Sequence, residues 1–129
     1  MINKKLFYDL EWHDAKISRM VVNKEDRDNN GIFDIYVMWP NLEHSIVRFT
    51  DVHLLKLAMW MGVSDPATIS GANLVNVDED EDVKSVYKYW KSMGGFKLSE
   101  RTLSGVEIET FSTQETIKIV AQNMELIDL

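Results

Sequence analysis

Hydrophobic and polar residues alternate most regularly over residues 32–39, IFDIYVMW. Phe33, Ile35, Val37 and Trp39 share one parity, and Asp34, Tyr36 and Met38 the other. A period of two places these sets on opposite faces of a β-strand. Pro40 and Asn41 end it, because proline has no amide to give to a ladder. KISRMVV, residues 16–22, is rich in β-branched and apolar residues and predicts a strand before it. KEDRDNNG lies between the two, with Asn30-Gly31 as its turn signal. HSIVRF, residues 44–49, predicts a third strand. Three strands joined by short turns predict an antiparallel meander.

The next apolar stretch, VHLLKLAMWM at residues 52–61, loses this alternation and is apolar on several sides. It predicts a short buried helix, capped by Asp51 and ended by Gly62. Asp65-Pro66 reads as a cap followed by proline at a first helical position, with Gly71 soon after. ANLVNV, residues 72–77, predicts a strand. The strongest helical pattern covers residues 81–93, where Val83, Val86, Tyr87 and Trp90 make one apolar stripe. Asp80 is its natural N-cap, Glu81 and Asp82 complement the positive end of the dipole, and Lys88 and Lys91 the negative end. Gly94-Gly95 stops it. VEIETF and ETIKIVAQ then alternate as two strands joined around Ser112-Thr113-Gln114, and NMELIDL continues the last one. The order of elements predicts an α+β fold in a single domain. An antiparallel sheet of about five to six strands would carry the 81–93 helix and the 52–61 helix.

Composition narrows the chemistry. The chain has 129 residues, enough for a core without staples, and no cysteine, hence no disulfide, thiol nucleophile or cysteine zinc site. MINKKLFYDL lacks the apolar stretch of a signal peptide, and no apolar run approaches the ~18 residues that span a bilayer. A cytoplasmic protein is the simplest expectation. Twenty-one acidic against 14 basic residues set the net charge at −7. That is not the basic footprint of a nucleic-acid binder, and it could steer a basic partner inward. There is no P-loop, no GxSxG elbow and no Rossmann glycine fingerprint.

Three stretches could still carry chemistry, each against a plainer reading. DRDNNGIFD, residues 26–34, places Asp26, Asp28, Asn30 and Asp34 at positions 1, 3, 5 and 9 of a calcium-loop spacing, with Gly31 at position 6. Position 12 is Val37 rather than a bidentate glutamate, and a polar hairpin tip explains the composition without Ca2+. DEDED, residues 78–82, sets five carboxylates in a row: Asp78, Glu79, Asp80, Glu81 and Asp82. It reads as a solvated cap, with a metal cluster or a surface for a basic protein as the functional alternatives. Trp12, His13 and Asp14 invite a catalytic or metal reading. Neighbours on a regular element point apart, though, and His44 and His53 are the only other histidines. Asp51 and His53 could share a face. Trp12, Trp39, Trp60 and Trp90 sit in patterned segments, where a tryptophan is more often core than ligand platform; any left exposed is an interface candidate.

WHDAKISRMVV resembles the start of small bacterial proteins in which a WHDA-like motif precedes the first strand of an α+β domain. VEIETFSTQETIKIVAQNMEL and RFTDVHLLKLAMWMGV are similar to their closing strands and to their strand-then-apolar-helix segment. Such families are mostly uncharacterised, and some similar proteins are regarded as immunity proteins of bacterial toxin systems. The resemblance implies no catalytic residue. The leading expectation is therefore a non-catalytic protein-binding module that blocks a basic partner, with the 78–82 run as rim charges. The alternative is a metal-dependent enzyme or divalent-cation-binding protein using His13, Asp14 and the 26–34 loop. A homodimer built on an exposed sheet edge is a third possibility.

Overall fold

A computed structural model of the chain describes residues 1–26, 30–62, 67–92, 102–112 and 115–129. The predicted meander is present: β1 (Lys16–Asp26) pairs antiparallel with β2 (Asn30–Met38), and β2 with β3 (His44–Ala58). β4 (Ala67–Leu74), β5 (Ser104–Thr110) and β6 (Thr116–Asp128) form a second meander. The two are joined where β3 pairs with β6, from Ser45↔Asp128 to Ala58↔Thr116. A short contact of Lys16 and Ile17 with Thr68 and Ala67 closes the order β1-β2-β3-β6-β5-β4 into a barrel. The fold is broadly α+β but dominated by its antiparallel sheet. Among the described residues, β1 and β4, the two ends of this strand order, pair only through Lys16 and Ile17. The predicted 72–77 strand begins earlier, at Ala67, and ends at Leu74. The tail does continue the last strand, as far as Asp128.

The helix expected over 52–61 is not there: through Ala58 this segment is the second half of β3. Leu55 packs into the barrel interior, whereas Leu54 packs outside it against a helix. A strand covered on both faces loses its polar alternation and reads as a buried helix. Asp51, assigned to an N-cap, instead sits at φ 52 beside a break in the β3–β6 register between Val52 and Leu54. The register break marks a β-bulge, which bends the strand. Gly31 is needed at this bend, because a Cβ there would lie 2.7 Å from the Val52 carbonyl oxygen.

The barrel is filled by side chains, among them Phe33, Ile35 and Val37 of β2, Phe49 of β3, Ile108 of β5 and Ile119 of β6. β2 buries the face predicted from its alternation. A helical turn and a half, α1 (Lys4–Asp9), adds the buried Phe7 to this core. Its Leu6 amide is capped by the Asn3 side chain at 2.9 Å. Six residues are too few to show a helical period, so α1 left no signal in the pattern. α2 (Glu81–Ser92) lies outside the barrel, where Val83 and Val86 pack with Leu54, Val75, Leu103 and Val120. The predicted stop at Gly94-Gly95 and the Asp65-Pro66 pair lie outside the described residues, but residues 67–70, expected as a brief helical turn after Pro66, are the start of β4. No helix among the described residues is long and apolar enough to cross a membrane.

Candidate binding face at the acidic end of α2

Barrel register puts Lys118 of β6 directly opposite both Lys56 of β3 and Glu107 of β5. Two lysines paired across strands repel, so this part of the outer sheet needs negative charge. The 78–82 run supplies it. Lys118 Nζ donates to Asp80 at 2.6 Å and to Glu107 at 3.0 Å, and it lies 3.4 Å from Asp82. Lys56 donates to Asp82 as well. Asp80 also performs its expected capping role, accepting from the Val83 amide at 2.9 Å. One carboxylate thereby holds both the start of α2 and a lysine of the barrel.

The titration of these groups follows from that geometry. Burial works against the charged form of Asp80, but the bonds from Lys118 and the Val83 amide outweigh it and hold the carboxyl below its ordinary pKa. The Lys56 bond does the same for Asp82, against some loss of hydration. Burial also opposes the Lys118 ammonium, yet its bonds to Asp80 and Glu107 raise its pKa above the ordinary lysine value. An ammonium has three donors and no acceptor, and three carboxylates surround this one. Lys118 is therefore a structural cation, neither a general base nor a free anion site.

With Asp80 and Asp82 turned inward, Asp78, Glu79 and Glu81 remain exposed, and Glu107 and Glu109 extend the exposed acids along β5. Asp82, Glu107, Glu109, Thr116, Ile117 and Lys118 line a cavity of about 220 Å³ between them. Glu81, Glu107 and Glu109 stand on helix and barrel, and Asp78 and Glu79 on the hydrogen-bonded turn that leads into α2. Chemically it offers carboxylates to a cation. The sequence located the acids but missed Lys56, Lys118 and Glu107, which only strand pairing brings beneath α2.

The other candidates lie elsewhere. Trp12 is buried, donating from Nε1 to the Phe7 carbonyl at 2.8 Å, with its ring 5.2 Å from Phe7 and 5.5 Å from Trp39. It packs in the barrel core and not against Trp90. His13 and Asp14 do meet, at 3.2 Å, because Asp14 adopts φ 68 and the segment is not a regular element. Both side chains are largely exposed, and the His13 ring stands nearly perpendicular to that of Phe111, 5.6 Å away. Asp34 gives both oxygens to Arg48, at 2.8 and 3.0 Å. Asp26 and Asn30 pair as the outermost rung of the β1–β2 hairpin, and Asp28 lies outside the described residues. His44 pairs with Met38 at the start of β3. Among the described residues, no group of three or more His, Cys, Asp or Glu side chains is placed to hold a metal ion.

The bulge in β3 creates a second polar cluster. His53 Nε2 lies 3.0 Å from Asp51 Oδ1, both side chains nearly buried, and Trp90 of α2 meets the imidazole edge to face at 5.8 Å. Proximity in sequence suggested that Asp51 and His53 share a face; their burial under α2 could not be read from it. With both sites described, the comparisons add no relative: no family model, no curated protein and no solved structure matches the chain.

Proposed function

We propose that the protein is a non-catalytic binding module whose acidic face occludes a basic partner, in the manner of an immunity-type inhibitor. One observation carries this reading: the 78–82 run is clamped by Lys56 and Lys118 through Asp80 and Asp82, which leaves Asp78, Glu79 and Glu81 presented outward on a fixed support. Charges held in place by a scaffold lose little freedom when a partner docks, so they contribute to association at small entropic cost. The net charge of −7 adds a long-range attraction for a cationic surface, which acts mainly on the on-rate. The resemblance to immunity-type proteins is consistent with a role by steric and electrostatic block.

The test is capture of a partner from the source cells, followed by stopped-flow association with the wild type and with Asp78→Lys, Glu79→Lys, Glu81→Lys combined. The variant should associate at least ~10-fold more slowly at low salt and show a flatter dependence on ionic strength. A captured partner whose on-rate is the same for both proteins sinks the proposal. So does a partner that is acidic.

A further inference from the structure

A second surface, which adjoins the acidic face at Glu109, is apolar. At the end of β3 and in the residues just after it, Leu57, Trp60 and Met61 are 43, 57 and 87% exposed, and Phe111 at the end of β5 is 61% exposed. Glu115 holds these segments side by side: its buried carboxylate accepts from the Trp60 amide at 3.0 Å and from the Thr110 hydroxyl at 2.8 Å. Phe111 follows Thr110 directly, and its own amide donates to the Thr68 carbonyl at 3.0 Å. The exposed side chains therefore stand on hydrogen-bonded backbone, and the Glu115 carboxylate between these segments is turned inward and satisfied.

We propose that this patch, Leu57, Trp60, Met61 and Phe111, is the interface of a symmetric homodimer. Area is the first argument. The four side chains leave roughly 500 Å² of apolar surface in water, at the upper end of what a monomer exposes. Two copies face to face would remove about 1,000 Å², where specific interfaces begin. Charge is the second. Each chain carries −7, so two copies approaching through their acidic faces repel. LAMWMG, residues 57–62, and Phe111-Ser112 carry no charge at all. A second copy of the chain meets uncharged hydrophobic surface at the centre of this face, with the nearby carboxylates Glu109 and Asp14 at its rim beside Phe111. A two-fold axis needs only a patch that complements itself, and Trp, Met and Phe against one another meet that condition.

The two faces respond to salt in opposite directions, which separates this inference from the proposed function. Association with a basic partner weakens as salt screens attraction; dimerisation strengthens as salt screens repulsion between two anions. Sedimentation equilibrium of the full chain, at protein concentrations from about 10 to 500 μM and in about 0.05 and 0.5 M salt, reads this directly. The mass should rise from 15.0 kDa toward twice that value, further at high salt. Met61→Glu and Phe111→Glu should each weaken the dimer at least 10-fold. Tyr89→Glu places the same charge on an equally exposed aromatic of α2 and should leave dimerisation unchanged. Circular dichroism melts confirm that the variants fold, and Met61→Ser replaces Met61→Glu if that chain does not. A chain that stays monomeric at every concentration and salt overturns the proposal. So does a dimer indifferent to the patch variants, or one weakened equally by Tyr89→Glu.

Discussion

At the scale of single residues, Trp12, His13 and Asp14 separate into different roles. Trp12 fills the core beside Phe7 and Trp39 and completes the Phe7 carbonyl. Trp12→Ala should cost about 3–4 kcal/mol, from lost packing and an orphaned acceptor, measured by urea unfolding. His13 and Asp14 form an exposed pair that water and salt screen, so His13→Ala should change stability by less than ~0.5 kcal/mol. Asp80 and Asp82 make a pH prediction. Their folded pKa values lie below the ordinary carboxylate value. The stability they contribute is therefore complete above the unfolded pKa of about 4 and is lost as pH falls through the lower folded values. Asp80→Asn should flatten the acid limb of a stability–pH curve below about pH 4. A limb as steep as the wild type's would show that these carboxylates do not set it.

At the scale of elements, β3 explains the helix that the pattern predicted over 52–61. Residues 52–58 are apolar on both sides because one side lines the barrel and the other seats α2. Hydrogen exchange should protect the Leu55 and Leu57 amides together with those of β6, and NMR should show Leu55 against Ile119 across the ladder. Helical i,i+3 contacts over 52–58 would contradict this. α2 and β6 are locked through Lys118. Lys118→Met keeps the aliphatic stem but leaves Asp80, Asp82 and Glu107 facing one another, and should destabilise the fold by about 2 kcal/mol. The packing beneath α2 is tight as well: a side chain at Gly105 would overlap Val75 and press on Val83. Gly105→Ala should therefore loosen the helix from the sheet and lower the melting temperature by several degrees.

At the scale of the whole molecule, charge and exposed apolar surface are segregated. The acids surplus to the lysine clamp are carried in the turn before α2, at its start and along β5, while an apolar patch rimmed by Glu109 and Asp14 collects at the β3 and β5 ends. Each lysine reversal at Asp78, Glu79 and Glu81 adds two charges, which takes −7 to −1. Such a chain should dimerise at low salt about as well as the wild type does at high salt, since the repulsion is gone. Sedimentation in the two salts would show it. A triple variant that dimerises no better at low salt means that repulsion does not limit association.

How much of this was legible in the sequence depends on the range of the cause. Alternation over 32–39, the stripe over 81–93 and the Asp80 cap were readable because their causes are local: a period of two, a period of 3.6 and one side chain three residues from its amide. The acidic run was legible as charge, and the absence of cysteine as chemistry withheld. Strand order decided everything else. Nothing near residues 52–58 reveals that β6 lies along them, nor does 78–82 reveal Lys56 and Lys118 beneath it. Asp51 and His53 become a buried pair only once the bulge and Trp90 enclose them. Periodicity reports that a face is buried; it does not say against what. That information resides in pairings between residues far apart in the chain, and only the closed barrel brings them together.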